Sequence, residues 1–254
     1  MRKVLGIARY TFTEIFRNKV YYVLVLFAFV LVGAALLLGA LGGEQKNRMI
    51  IDFGLVSIEA FTLLVAVFAA VTLVLEEMES KTLYLVLSRP VARYEFVLGR
   101  YLGLLLLLTA TFLFMASSHM ALLHVEHISI DSGYALSLLY SWEKIVLITA
   151  IGMAFSLFAT STVSAVAFTF FFWIMGHFSS EIHFLAQKTS KPLLTALFNA
   201  FYYLAPNFQV MNLRDLPSAS LAGSGWLWPA AGYGICYTVS CLAVVILLFR
   251  KKEF

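Results

Sequence analysis

In 254 residues the chain is 61% hydrophobic and only 13% charged, with a formal net charge of +4. Soluble domains carry about 25% charged residues, so this composition excludes a soluble enzyme or binding module and describes an integral membrane protein. The excess of bases is no nucleic-acid signature, because they sit at the ends of apolar runs, and no polar block is long enough for a second globular domain.

Residues 2–17 predict an amphipathic helix. Turning about 100° per residue, Val4, Leu5, Ile7, Ala8, Phe12, Ile15 and Phe16 share one arc, and Arg2, Lys3, Arg9, Thr13, Glu14 and Arg17 share the other. A basic face opposite an apolar one suits a helix lying in the headgroup plane. The apolar run Val20–Leu41 follows as a first span. It is longer than the 7–15 residues of a signal-peptide core, which argues against a cleaved leader. Ala35, Gly39 and Gly43 recur along it every four residues, a spacing for close helix packing.

The second span, Phe53–Leu75, carries Glu59 with Ser57 and Thr62. A charged connector follows, EEMESKTLYLVLSRPVARYEFVLGR from Glu76 to Arg100, with four acids and four bases in 25 residues. Leu83, Val86 and Leu87 share a helical face at spacings of three and four. Pro90 disfavours the helical region for Arg89 and ends that helix. A new helix begins near Arg93 and runs into the third span, Val97–Leu123. A short helix, a proline corner and a span make a rigid knob at the membrane surface; a plain solvated loop is the alternative.

The fourth span is expected at Lys144–Ala159 and the fifth at Val163–Phe178, with Thr160-Ser161-Thr162 as the turn. One helix over that apolar stretch of about 34 residues would be about 51 Å long against a hydrocarbon core of about 30 Å, so a hairpin fits better. In the outer segment 179–225, Ser190 is placed to cap a helix with Pro192 in its first turn. Leu193, Leu194, Leu197, Phe198 and Phe201 form its apolar stripe, and Ala205-Pro206-Asn207 stops it. The sixth span is Trp226–Phe249, with Gly232, Cys236 and Ser240 as another small-residue stripe. Cys236 and Cys241, five apart, point to different faces; free thiols are expected, with no metal site and no cofactor.

With the N-terminus inside, the inner segments hold Arg2, Lys3, Arg9, Arg17, Lys19, Lys81, Arg89, Arg93, Arg100, Arg250, Lys251 and Lys252. The outer segments hold half as many: Lys46, Arg48, Lys144, Lys188, Lys191 and Arg214. The positive-inside rule therefore places both termini and the connector in the cytoplasm.

Glu76-Glu77 at the end of a span, Lys81-Thr82-Leu83, Leu87-Ser88-Arg89-Pro90-Val91, Arg93, Phe96 and Gly99-Arg100 resemble the second-span connector of type-2 ATP-binding-cassette (ABC) transporter permeases. Ile7-Ala8-Arg9, Phe16-Arg17-Asn18-Lys19 and Phe249-Arg250-Lys251-Lys252 resemble the same family, so the likeness covers the whole chain in span order. It implies an all-α fold of six transmembrane helices with an N-terminal interfacial helix, a cytoplasmic coupling helix between spans two and three, and short outer-leaflet helices between spans five and six. It implies one permease domain over residues 1–254, with 1–19 interfacial, 76–96 coupling and 179–225 outer. Glu76, Glu77, Thr82, Leu83, Leu87, Arg89, Pro90, Arg93 and Phe96 would then dock onto a separate ATPase subunit. Two ATPase copies would pair with two permeases, identical or related, among the lipids of a bacterial or archaeal cytoplasmic membrane, and the complex would work as an exporter.

The chain has no G-x-x-x-x-G-K-S/T phosphate loop, so ATP hydrolysis is expected on a partner, and no nucleophile–base pair suggests an enzyme. Glu59 is an acid well inside a span, which makes it, with Ser57 and Thr62, the expected substrate path. Its alternative is to reach headgroups or water, since it lies near the outer end of its span. His119, His124 and His127 cluster near the outer end of the third span, with His177 and His183 near that of the fifth; the expectation is interfacial histidines facing water. Two rival functions stand beside the transporter: a membrane scaffold recruiting a cytoplasmic protein, and a histidine-ligated metal or haem enzyme.

Overall fold

The computed structural model describes residues 2–16, 20–79, 92–213, 225 and 227–251. The regular elements among these residues are helices: α1 (Arg2–Phe16), α2 (Val20–Leu41), α3 (Lys46–Glu79), α4 (Arg93–Val125), α5 (Ser132–Phe158), α6 (Thr162–His177), α7 (Ser179–Lys188), α8 (Pro192–Leu204) and α9 (Leu227–Lys251). Helices α2, α3, α4, α5 and α9 are each long and apolar enough to cross a membrane. A sixth span exists if α6 and α7 are one span, broken by a bend of 72°. Of the expected connector, Thr82, Leu83, Leu87, Arg89 and Pro90 lie outside the described residues. Glu76 and Glu77 belong to the end of α3, and Arg93 and Phe96 to the start of α4.

Helix α3 is the axis. Its most apolar stretch is 72% buried, whereas those of α2 and α9 are only 17% and 22% buried. It packs on α5, α2 and α4. Ala66, Val67 and Ala70 of α3, Leu104, Leu107 and Leu108 of α4, and Ile145, Leu147 and Ile148 of α5 form the main core. Around it α2 and α9 leave many large apolar side chains exposed, Phe29, Leu36, Ile235 and Leu247 among them. That inversion is what a lipid solvent permits: hydrocarbon tails are as apolar as leucine, so helices there are held by packing and polar contacts.

The fourth span starts earlier than its apolar run. Helix α5 begins at Ser132, where the Asp131 carboxylate caps it by accepting from the Ser132 N–H at 2.6 Å. Lys144 therefore lies mid-helix and buried, and is no outer base. The expected hairpin after α5 is present: α5 stops at Phe158, and Ser161 caps α6 by accepting from Ser164 N–H. Helix α8 starts with Pro192 as expected, but its cap position is Lys191, not Ser190, and no side chain caps it. Helix α7, ahead of it, is an element that the apolar pattern does not place. The stripe Gly232, Cys236 and Ser240 faces outward; the residues of α9 that pack inward include Gly234 and Thr238. Neither cysteine is in a disulfide.

The N-terminal helix docks through part of its expected apolar arc, Ile7, Ala8 and Phe12, together with Thr11. Ala8 and Thr11 are buried, while Leu5 stays exposed. They meet α4 where Gly99 and Gly103 remove two side chains: a Cβ on Gly103 would stand 2.5 Å from Thr11 Cβ and 2.7 Å from the Ala8 carbonyl. This is the small-x-x-x-small spacing that lets helix backbones approach in a membrane.

Candidate functional site

Two polar constellations stand out inside this apolar molecule. The first lies in the membrane domain. Glu59 of α3 is only 4% exposed. Its carboxylate accepts from Ser141 Oγ at 2.7 Å and from Lys144 Nζ at 3.1 Å. Ser141 and Lys144 are three apart on α5, so one helix face presents both. Glu59 and Lys144 are also matched in depth: 13 residues from the start of α3 and 12 from the start of α5 correspond to about 20 and 18 Å. The reading of Glu59 as a side chain reaching headgroups or water is thus corrected; it meets an opposite charge instead.

The fourth member is His177, the last residue of α6, whose Nε2 lies 3.7 Å from Glu59 Oε1. Its Nδ1 is 3.0 Å from the Trp173 carbonyl. A carbonyl only accepts, so Nδ1 carries the hydrogen and donates it. The 3.7 Å contact is too long for a hydrogen bond. The rings of His177, Trp173 and Phe208 touch one another in a triangle. Gly176 makes room for Phe208 and accepts from its N–H at 2.9 Å, so the segment before α9 docks on the same spot. His177 is the partly exposed member of the group; Glu59, Ser141 and Lys144 are sealed.

The other expected path residues behave differently. Thr62 is buried but donates to its own helix at Ile58 O, 2.7 Å away, with Met115 Sδ at 3.7 Å. Ser57 is buried on α3. Ser141, Lys144 and Glu143 are the residues that sequence reasoning missed. Glu143 points to a different neighbour, α9, with Oε1 in the notch at Gly234 and no hydrogen-bond partner for that oxygen among the described residues. The signal was available in Asp131, a cap residue ahead of the run Tyr134–Tyr140, which extends the span and draws Glu143 and Lys144 inside.

The histidines divide. His124 and His127 are exposed, as expected. His119 is fully buried, a correction: its Nδ1 lies 2.9 Å from Tyr134 OH, and its ring fills the space left by Gly54. His183 stacks on Tyr202 and meets Gln187 on α7.

The second constellation gathers at the start of α4, next to the connector. Arg93 Nη1 donates to the carbonyls of Phe249 and Arg250 at 3.1 and 2.7 Å, tying the start of α4 to the last described turn of α9. Phe96 stacks on Phe249, ring centroids 5.8 Å apart. Arg100 is buried on α4 and donates to Thr11 Oγ1 at 3.0 Å and Glu14 Oε2 at 2.6 Å, its guanidinium also lying over Tyr10. Glu95 accepts from the Ala92 N–H, closing the first turn of α4, and lies 4.0 Å from Lys3. About two turns of α4 thus hold both α1 and the end of α9.

A family model described as ABC-2 family transporter protein matches residues 5–254. No curated protein matches the chain.

Proposed function

The chain belongs to the ABC-2 family of transporter membrane proteins, and from that premise we propose that it is the permease subunit of an exporter driven by ATP hydrolysis on a separate cytoplasmic subunit. The observation that carries the coupling mechanism is the anchoring of α4. Arg93 and Phe96 bind it to α9, and Arg100 binds it to α1, directly beside the connector. A push on the connector would therefore move α3, α4, α1 and α9 together.

In this mechanism Glu76–Phe96 is the coupling element. Leu83 and Leu87 enter a groove on the ATPase, Arg89 and Pro90 form the corner, and Arg93 and Phe96 pass the motion on. ATP binding closes two ATPase subunits against each other, and two permeases, each one domain over residues 1–254, switch the path between faces. Both termini lie in the cytoplasm, α1 rides the inner headgroup layer, and α7 and α8 sit in the outer leaflet of a bacterial or archaeal cytoplasmic membrane. Glu59, Ser57 and Thr62 of α3 border the path, joined by Ser141, Lys144 and His177.

Purification in mild detergent tests this reading. An ATP-hydrolysing subunit should co-purify, and its hydrolysis should respond to the permease. A pure, intact permease with a haem or metal absorption spectrum and no ATPase would overturn it.

A further inference from the structure

Glu59 and Lys144 do more in this fold than share a charge. A buried ion pair is a poor device for stability, because desolvating two ions offsets their attraction, and well-packed apolar residues usually serve as well or better. Inside a membrane the cost is greater and the residues concerned are commonly functional. This pair also sits where three moving parts would meet. Glu59 belongs to α3, the helix that leads without a break to the connector. Lys144 and Ser141 belong to α5. His177 ends α6 at the 72° bend into α7.

We propose that the Glu59–Lys144 pair, seconded by Ser141 and His177, is an intramembrane latch that holds the path shut and opens once in each transport cycle. This rests on the reading of the chain as an ATP-driven permease. From Glu59 to Glu76 is about 26 Å of continuous helix at 1.5 Å per residue, so a tilt imposed at the connector arrives at the pair as a displacement. The members differ in grip. Lys144 and Ser141 hold Glu59 at hydrogen-bonding distance, while His177, at 3.7 Å, is only in loose contact. His177 therefore parts first, and the α6–α7 bend is the place where the path opens. Separation of Glu59 from Lys144 follows and exposes α3 around Thr62, which is buried about one turn along the same face. Glu143, beside Lys144, takes no part in the latch, because it is turned to Gly234 of α9. Glu59 and Lys144 act here as positioning residues.

The test replaces both charges, Glu59→Leu with Lys144→Met, in a chain whose native thiols are removed (Cys236→Ser, Cys241→Ser) and whose reporter thiol is introduced by Thr62→Cys. The permease is studied in lipid nanodiscs, where both faces are open to a maleimide, first alone and then with its ATPase. A latch predicts that the double variant melts at or above the temperature of the parent, yet its reporter thiol is modified at least tenfold faster. In the parent complex, ATP with vanadate, which traps the ATPase with ADP and vanadate bound, should raise the labelling rate by a similar factor; in the double variant the rate should no longer depend on nucleotide. Lys144→Arg, which keeps the pair, should preserve slow labelling. A double variant that melts well below the parent makes the pair a structural brace and overturns the proposal. So does one that is stable but labels at the parent rate. A parent complex that ignores nucleotide, beside a double variant that labels fast, sinks the ATP-driven reading and leaves the latch itself supported.

Discussion

Glu59 and Lys144 are 85 positions apart in the chain and 3.1 Å apart in the membrane domain. The contact joins the helix that ends at the connector to the first helix of the α5–α6 hairpin. Its energetic asymmetry gives the first prediction.

Glu59→Gln alone leaves Lys144 buried without its counter-charge. Removing one partner of a buried pair costs about 3–5 kcal/mol, whereas replacing both with apolar residues is neutral or stabilising. The single variant should therefore melt lower than both the parent and Glu59→Leu/Lys144→Met in mild detergent, followed by tryptophan fluorescence. Equal midpoints for Glu59→Gln and the parent would mean that the pair does not form.

Gly103→Ala places a methyl group 2.7 Å from the backbone carbonyl of Ala8. Backbone cannot step aside as a side chain can, so α1 must lift from α4 at an overpacking cost of about 1–3 kcal/mol. Trypsin should then cut after Arg9, which is exposed, several times faster than in the parent. An unchanged cleavage rate would show that α1 does not rest on that glycine.

Arg100→Met removes the donor shared by Thr11 and Glu14. Glu14 keeps 39% of its side-chain surface in solvent, so its own loss is small, and the deficit is that of charge-assisted hydrogen bonds, about 1.5–3 kcal/mol. Amide hydrogen exchange over residues 4–14 should accelerate. Arg100→Lys should recover only part of the protection, since an ammonium cannot reproduce the guanidinium fork.

Leu83→Asp/Leu87→Asp tests the coupling element. Each leucine buried against an ATPase contributes about 1.5–3 kcal/mol, and each unpaired buried carboxylate costs several more. A total above roughly 4 kcal/mol is about a thousandfold in affinity. The ATPase should no longer co-purify, although the variant reaches the membrane at normal level. Arg89→Ala, which the proposed docking puts at the rim, should weaken association only mildly. Full association and coupled hydrolysis in the double variant would make the stretch an ordinary loop.

Single cysteines report the topology. On intact cells a membrane-impermeant thiol reagent should modify Gly43→Cys and Ser190→Cys, whereas Ser80→Cys and Lys252→Cys should react only in inside-out vesicles, where the cytoplasmic side is open to it. Reaction of Ser80→Cys from outside is incompatible with the six-span arrangement.

The apolar runs, read by length and by the proline, serine and glycine that interrupt them, determined most of the helices. Val20–Leu41, the Thr160–Thr162 turn and the Pro192 helix start all coincide with elements of the fold. These are local matters: hydrocarbon thickness sets how long an apolar segment must be, and caps and turns act within a few residues. The same local logic fails at Lys144, where a charge marks the edge of an apolar run but not the edge of the helix. Only the tertiary structure could show that a lysine mid-helix is tolerated there, since the tolerance comes from Glu59, on another helix. His119 is a similar case, buried because Gly54 on α3 leaves room for its ring.

What the sequence determined by itself, then, was the number and order of apolar segments and the class of protein they make, because a bilayer imposes one requirement on every spanning helix regardless of its neighbours. Which side of each helix meets protein was decided by the tertiary structure alone. Lipid and protein interior are equally apolar, so hydrophobic periodicity is weak in these helices and does not mark the packed face. That face is set by the few polar groups and glycines that must find partners across helices: Glu59 with Lys144, Arg100 with Glu14, and Gly103 beneath Thr11.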